Sequence, residues 1–221
     1  MTDVSHYMRT SLTIIKGEIE IVLQKNRKGE EYRKVFKLLE DESTHLQRIV
    51  ENLSTLAYAD AGALVSRKEI IDLTKICERQ IEKVKVLKNR KNICLKASLQ
   101  KNCYIYGDRN RIAELVFNLL ENAIKYTPSH KTIFVELFKK ESLIFLRIID
   151  EGIGIEIKDL LKVFKRFYRS EAAKKLCKGT GLGLSICCSI VKSHDGELEI
   201  STCPGLGTCI EVRLKLITSF S

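Results

Sequence analysis

The chain has 221 residues, 44% of them hydrophobic and 30% charged, with a formal net charge of +10; this excludes a disordered polyelectrolyte and leaves room for one good core or two small ones. The charge is uneven, −1 through Val65 and +11 beyond it, but the aromatic interleaving and readout motifs of a nucleic-acid binder are missing, so no nucleic-acid partner is expected. No apolar run approaches the roughly 20 residues that span a bilayer and no signal-peptide pattern is seen, so no membrane segment and a cytoplasmic location are expected.

In chain order, Met8, Leu12, Ile15, Ile19 and Val22 alternate steps of four and three, as do Val35, Leu39, Glu42, Leu46, Ile49, Leu53 and Leu56. Each set is a heptad seam on a helix. Asn26-Arg27-Lys28-Gly29 predicts the turn between them. Two helices bury little, so two hairpins are expected to pair into a four-helix bundle, making the protein a homodimer. His6 stands about 200° around the helix from Met8 and so points away from the seam. The stretch Ala57 to Ser66 reads as a linker because the heptad stops at Leu56.

Beyond the linker the pattern is mixed. It predicts a strand at Ile70 to Leu73, a helix from Thr74 to Lys88, and strands near Ile93 to Leu99 and Tyr104 to Tyr106. A long helix from Asp108 follows, then strands Thr132 to Phe138 and Leu143 to Ile149, a lid, a helix Leu182 to His194, and a hairpin of Glu197 to Thr202 with Thr208 to Leu214. Several antiparallel strands with helices packed on one face make a two-layer α/β sandwich, and with the hairpin the fold class is α+β. The expected domains are 1–62 and 67–217. The eight cysteines form no Cys-x-x-Cys pair and no zinc-like spacing with histidine, so they are expected as buried reduced thiols.

Three segments of the second part point to a nucleotide. On the long helix, Leu115, Val116, Leu119, Leu120 and Ala123 mark a buried face, while Asn118, Asn122 and Lys125 follow at i, i+4 and i+7 along a different stripe. Asp150, at a strand end beside Gly152 and Gly154, is suited to accept a hydrogen bond from an amine while the backbone lets a flat ring approach. Gly179-Thr180-Gly181-Leu182-Gly183 opens a helix, where free N–H groups and the positive dipole end make a phosphate cradle. Part of the basic excess, Lys158 to Lys178, lies beside that cradle and suits a triphosphate and an acidic partner surface.

With these segments in this order the chain resembles the sensor histidine kinases of two-component systems. NLLENAIKYTP, DEGIGI, VFKRFYRS, GTGLGLSI and PGLGT are similar to successive motifs of the ATP-binding module of that superfamily, and SHYMRTSL looks like its phosphoacceptor segment. The resemblance covers nearly the whole chain. It implies a dimeric hairpin bearing the histidine, then a sandwich of Bergerat type that holds Mg-ATP. By resemblance His6 takes the phosphoryl group and passes it to an aspartate on a response regulator. Asn122 ligates Mg²⁺, Asn118 supports the metal and phosphates, Lys125 reaches a phosphate and Tyr126 packs nearby. Asp150 receives the adenine amine, with Gly152 and Gly154 beneath the base. Phe164 and Phe167 anchor the lid, Arg169 approaches the γ-phosphate, and Gly179, Thr180, Gly181, Leu182 and Gly183 form the phosphate loop.

The departures from the family pattern lie near His6. The acidic residue that usually follows the histidine is Tyr7, which is no base near neutral pH. The usual proline is Ser11, which predicts a straighter helix. Thr10 matches the position that helps a water remove phosphate from the regulator. The chain begins five residues before His6, so it reads as a fragment, a sensorless kinase or a degenerate copy. In ATP-hydrolysing relatives a glutamate stands where this chain has Asn118, and a carboxamide takes no proton from water. Transfer to an intrinsically nucleophilic histidine is therefore the expected reaction. An ATP-binding pseudokinase or phosphatase scaffold is the alternative that Tyr7 keeps open.

Overall fold

A computed structural model describes residues 2–25, 28–65, 67–177 and 179–217. Its contacts divide the chain into two compact units, Met1–Thr55 and Leu56–Ser221. Two helices, α1 (Thr2–Leu23) and α2 (Gly29–Asp60), account for the first unit, and the last residues of α2 belong to the second. Glu30 and Glu31 in the first turn of α2 suit the positive end of its dipole. Ser11 and Ile49 are buried, whereas the seam residues Leu12 and Ile19 stay 54% and 42% exposed, leaving part of the heptad face open to another surface. Asn26 and Arg27 of the predicted turn lie outside the described residues, and Gly29 already opens α2.

The predicted linker is partly helix and partly core. Helix α2 continues to Asp60 because Leu56 is buried in the core of the second unit and Ala59 packs against it. Leu64, within the same stretch, is 3% exposed; Ser66 lies outside the described residues.

The second unit follows with β1 (Glu69–Asp72), α3 (Leu73–Lys83), α4 (Lys85–Arg90), β2 (Cys94–Leu99), β3 (Tyr104–Gly107), α5 (Arg109–Tyr126), β4 (Thr132–Lys140) and β5 (Leu143–Asp150). Then come α6 (Ile157–Leu160), α7 (Glu171–Leu176), α8 (Gly183–Ser193), β6 (Glu197–Cys203) and β7 (Gly207–Lys215). Five strands form one sheet in the order β2-β4-β5-β7-β6, and β1 pairs with β3 in a separate ribbon. The sheet is mixed: β2 runs parallel to β4, since the chain crosses through β3 and α5 between them, while every other pair is antiparallel. The expected helix from Thr74 to Lys88 is two helices broken at Val84. Val84 is buried and Leu87 packs on the core, so the apolar stripe runs on across the break.

Alternation along the central strands sends Ile133, Val135, Leu137, Ile144, Leu146, Ile148, Val212 and Leu214 to one buried face. That face is covered by α5 and α8 through Ile112, Leu115, Leu119, Ile186 and Ile190. On the other face Phe138 stacks on Phe145 at 5.1 Å, and Arg147 lies over Phe138 while binding Glu211 at 2.5 Å. The cysteines are free, but not all are buried: Cys77, Cys103 and Cys187 are, whereas Cys94 and Cys203 sit exposed on edge strands.

Candidate active site

Helix α5 carries the first part of the site. Asp108 caps it, its Oδ1 accepting the N–H groups of Asn110 at 3.0 Å and Arg111 at 3.2 Å. Behind this cap the His194 ring accepts the Asp108 N–H at Nε2 (2.9 Å), and its Nδ1 lies 2.8 Å from the Ile190 carbonyl. Burial lowers the His194 pKa, and the Nε2 contact needs the neutral ring. The apolar face fixes the rotation of the helix, so Asn118 and Asn122 stand one turn apart on a half-buried stripe. Lys125 pairs with Glu121 at 2.8 Å. Burial raises the Tyr126 hydroxyl.

The last four carbonyls of α5 need partners from outside the helix. Ala123 O accepts the Thr127 N–H at 3.0 Å and its hydroxyl at 2.6 Å. Tyr126 O accepts the Ile153 N–H at 3.2 Å. The Lys91 ammonium donates to Ile124 O at 3.0 Å, Lys125 O at 2.7 Å and Thr127 O at 3.3 Å.

Asp150 ends β5 opposite Ile133 and Thr208 and is 9% exposed. Burial pushes its pKa up to about 6, against the pull of the Gly152 N–H, which donates to Oδ1 at 2.8 Å. Gly152 has no room for a side chain, since a Cβ there would meet that Oδ1 and lie 2.7 Å from Tyr126 O. The following loop is stitched to the β6–β7 hairpin: Gly205 N–H donates to Ile153 O and Ile155 N–H to the Thr202 hydroxyl, both at 2.9 Å. Gly154 packs on the carbonyl of Cys203.

The third part is the stretch expected to form the lid and the phosphate loop. Tyr168 donates to the buried Asp159 at 2.6 Å, and Asp159 holds the tyrosine hydroxyl up at about 12. Phe167 packs on the core, while Phe164 is half-buried in the turn. Arg166 makes a two-pronged pair with Asp60 at 2.9 and 2.5 Å. The Arg169 guanidinium gathers the carbonyls of Ala173 (2.7 Å), Gly179 (3.2 Å) and Cys177. Its Nε is buried with no hydrogen-bond partner among the described residues, a donor left for an incoming acceptor. Gly181 has φ +72°, and a Cβ there would come within 2.7 Å of the Phe167 backbone. Buried Thr180 accepts the Leu182 N–H at 3.4 Å. Leu182 begins α8 without a side-chain cap, so the first N–H groups carry no competing acceptor from a cap residue.

These parts meet. A Cβ on Gly183, at the start of α8, would lie 3.5 Å from the Asn122 amide, so the carboxamide faces the glycine-rich start of that helix. Gly152 sits between Asp150 and the end of α5. Among the described residues no group of three His, Cys, Asp or Glu forms a metal nest. A carboxamide oxygen is a hard donor of the kind magnesium accepts alongside phosphate oxygens and waters, so the Asn122 side chain fits that metal. His6 and Thr10 stand one turn apart on α1, in the other compact unit; the side chain of His6 lies outside the described residues.

Two family models match the chain: the His Kinase A (phospho-acceptor) domain over residues 1–62, and the histidine kinase-, DNA gyrase B- and HSP90-like ATPase over residues 107–218. The chain belongs to the sensor histidine kinase family. Its relatives include the signal transduction histidine-protein kinase BaeS of Escherichia coli, 32% identical over 98% of this chain and 46% of its own length. This chain spans 36–46% of the length of these curated relatives. The Acinetobacter baumannii histidine kinase AdeS shares the fold with a TM-score of 0.79 and 24% identity, over 96% of this chain and 98% of that one. Histidine kinase ThkA, solved in complex with response regulator protein TrrA, shares it with a TM-score of 0.75 and 20% identity, over 98% and 60%.

Lys91, and the Asp108–His194 contact, carry no motif of their own. The Asp108 cap was legible as an Asp before a helix, but Lys91 lies 33 residues or more from the carbonyls it holds.

Proposed function

We propose that this kinase binds Mg-ATP in the second unit, phosphorylates His6, and delivers the phosphoryl group to an aspartate of a response regulator. The observation that carries this is the meeting of Asn122 with the start of α8, beside Asp150 at its strand end. Asp150 accepts from the adenine amine, with Gly152 and Gly154 beneath the ring. Asn118 and Asn122 hold the metal side of the triphosphate, and Mg²⁺ when bound neutralises charge there. Lys125, Arg169 and the amides of Gly179, Thr180, Gly181, Leu182 and Gly183 hold the phosphates, with Tyr126 walling the site. A ring nitrogen of His6 forms the new bond to phosphorus as the β–γ bridge breaks and ADP leaves. Thr10 orients a water for the reverse signal, removal of phosphate from the regulator.

The open heptad face at Leu12 and Ile19 supports pairing into a homodimer, with 1–62 as the hairpin module and 67–217 as the catalytic module. The ThkA complex supports a receiver domain as partner. No helix among the described residues is long and apolar enough to cross a membrane, in keeping with a module that works in the cytoplasm. Incubation with γ-labelled ATP and Mg²⁺ tests the reading. Acid-labile, base-stable label that disappears in His6→Gln is expected; nucleotide binding without any label would refute autophosphorylation and leave a regulator-binding scaffold.

A further inference from the structure

We infer that Lys91 is a positioning residue for the nucleotide site, acting through the last turn of α5; this rests on the nucleotide reading above. A buried helix end must find partners for its terminal carbonyls, and here each one is met differently. Ala123 is served by Thr127, and Tyr126 by the Ile153 N–H of the loop that follows Asp150. Between them, Ile124 and Lys125 are served by one ammonium, which also takes Thr127. A cation at a helix C-terminus also meets the negative end of the dipole.

The bond from Ile153 N–H to Tyr126 O joins α5 to the adenine loop, and Lys125 and Tyr126 are themselves side chains of the site. Lys91 holds the carbonyls on both sides of Tyr126, so it determines where that carbonyl points. The lysine is aimed in turn by its own loop. Asn92 adopts φ 52° and accepts the His130 N–H at 3.2 Å, and Cys94 N–H donates to Lys131 O at 2.9 Å. Both bonds tie the stretch after Lys91 to the stretch after α5, which keeps the Nζ over the helix end.

The test compares wild type, Lys91→Met and Lys91→Arg by two readouts below their melting temperatures. Binding of trinitrophenyl-ATP should weaken about three- to ten-fold in Lys91→Met, the range of indirect couplings, and recover in large part in Lys91→Arg, which keeps a cation with several donors. Amide exchange should speed up at Thr127 and Ile153 while Ile144 to Ile148 in the central strand keep their protection. A purely structural cap would lower the melting temperature and loosen the same amides but leave analogue affinity at its wild-type value, and that result would overturn the inference. Wild-type protein that fails to bind the analogue would refute the nucleotide reading, and the inference with it; wild-type binding with unchanged affinity in Lys91→Met would refute the inference alone. Should Lys91→Met fail to fold, Lys91→Gln serves the same comparison.

Discussion

Asp150→Asn should stabilise the protein and weaken its nucleotide binding. In the folded state the Asp150 carboxyl titrates near 6, against an unperturbed 3.8, because burial penalises the charge more than the Gly152 and Thr208 backbone groups favour it. At 1.36 kcal/mol for each unit, keeping the charge at pH 7.5 costs folding about 3 kcal/mol. Asparagine removes that cost. It keeps an acceptor for the Gly152 N–H, and the raised pKa is already net of the charged bond to that group. The net gain is ~3 kcal/mol, a rise in melting temperature of about 6–12 °C for a domain of this size. The pH dependence has a definite sign: with a raised folded pKa, wild type loses stability as pH rises from 3.8 to about 6. The advantage of the variant therefore shrinks as pH falls through 6 and is gone near 4. Adenine-nucleotide affinity moves the other way, falling about 10- to 100-fold with loss of a charged acceptor. Thermal scans from pH 4 to 8, with calorimetric titration of ATP, read both effects. A variant no more stable than wild type at pH 7.5, or one whose gain is constant with pH, would refute the account of Asp150 as a costly buried charge.

Other outcomes follow from the same contacts. His194→Ala should cost about 2–3 kcal/mol in urea unfolding at pH 7.5, since it strands the Asp108 N–H and empties a buried site. Because the His194 pKa is depressed, its stabilisation is present above about 6.5 and lost as pH falls, so the variant should show a shallower acid limb. Gly181→Ala, at φ +72° against the Phe167 backbone, should loosen the lid by at least ~1 kcal/mol. Faster proteolysis between residues 151 and 178 with an intact sheet is the expected reading. Tyr7→Glu restores a carboxylate beside His6 and should raise initial autophosphorylation by up to ~10²-fold, the lower end of acid–base assistance; an unchanged rate would show that proton uptake is not limiting.

The periodic features of this protein were legible because they repeat at short range. Apolar residues at helical spacing around Asn118 and Asn122, alternation in β4 and β5, and glycines at 152, 154, 179, 181 and 183 each state a local conformation that the neighbours alone impose. The same logic misled where periodicity continued through a change of structure. Val84 and Leu87 keep the stripe across the α3–α4 break, and Leu64 is a core residue in the stretch Ala57 to Ser66 that reads as linker. The parallel pairing of β2 with β4 also escaped, since alternation sets which side chains face the core and not which strand lies alongside.

What the sequence determined, then, is what adjacent residues settle among themselves: helix faces, strand alternation, and the glycine and carboxamide positions from which the nucleotide site is proposed. What only the tertiary structure decided are the contacts between segments far apart in the chain. Asn122 meets Gly183 because α5 and α8 pack side by side, and Asp150 titrates near 6 because the sheet and the β6–β7 hairpin exclude water from it. Lys91 caps a helix 33 residues away. Desolvation and satisfaction of helix-end carbonyls depend on every chain that passes nearby, and no stretch of sequence carries that information by itself.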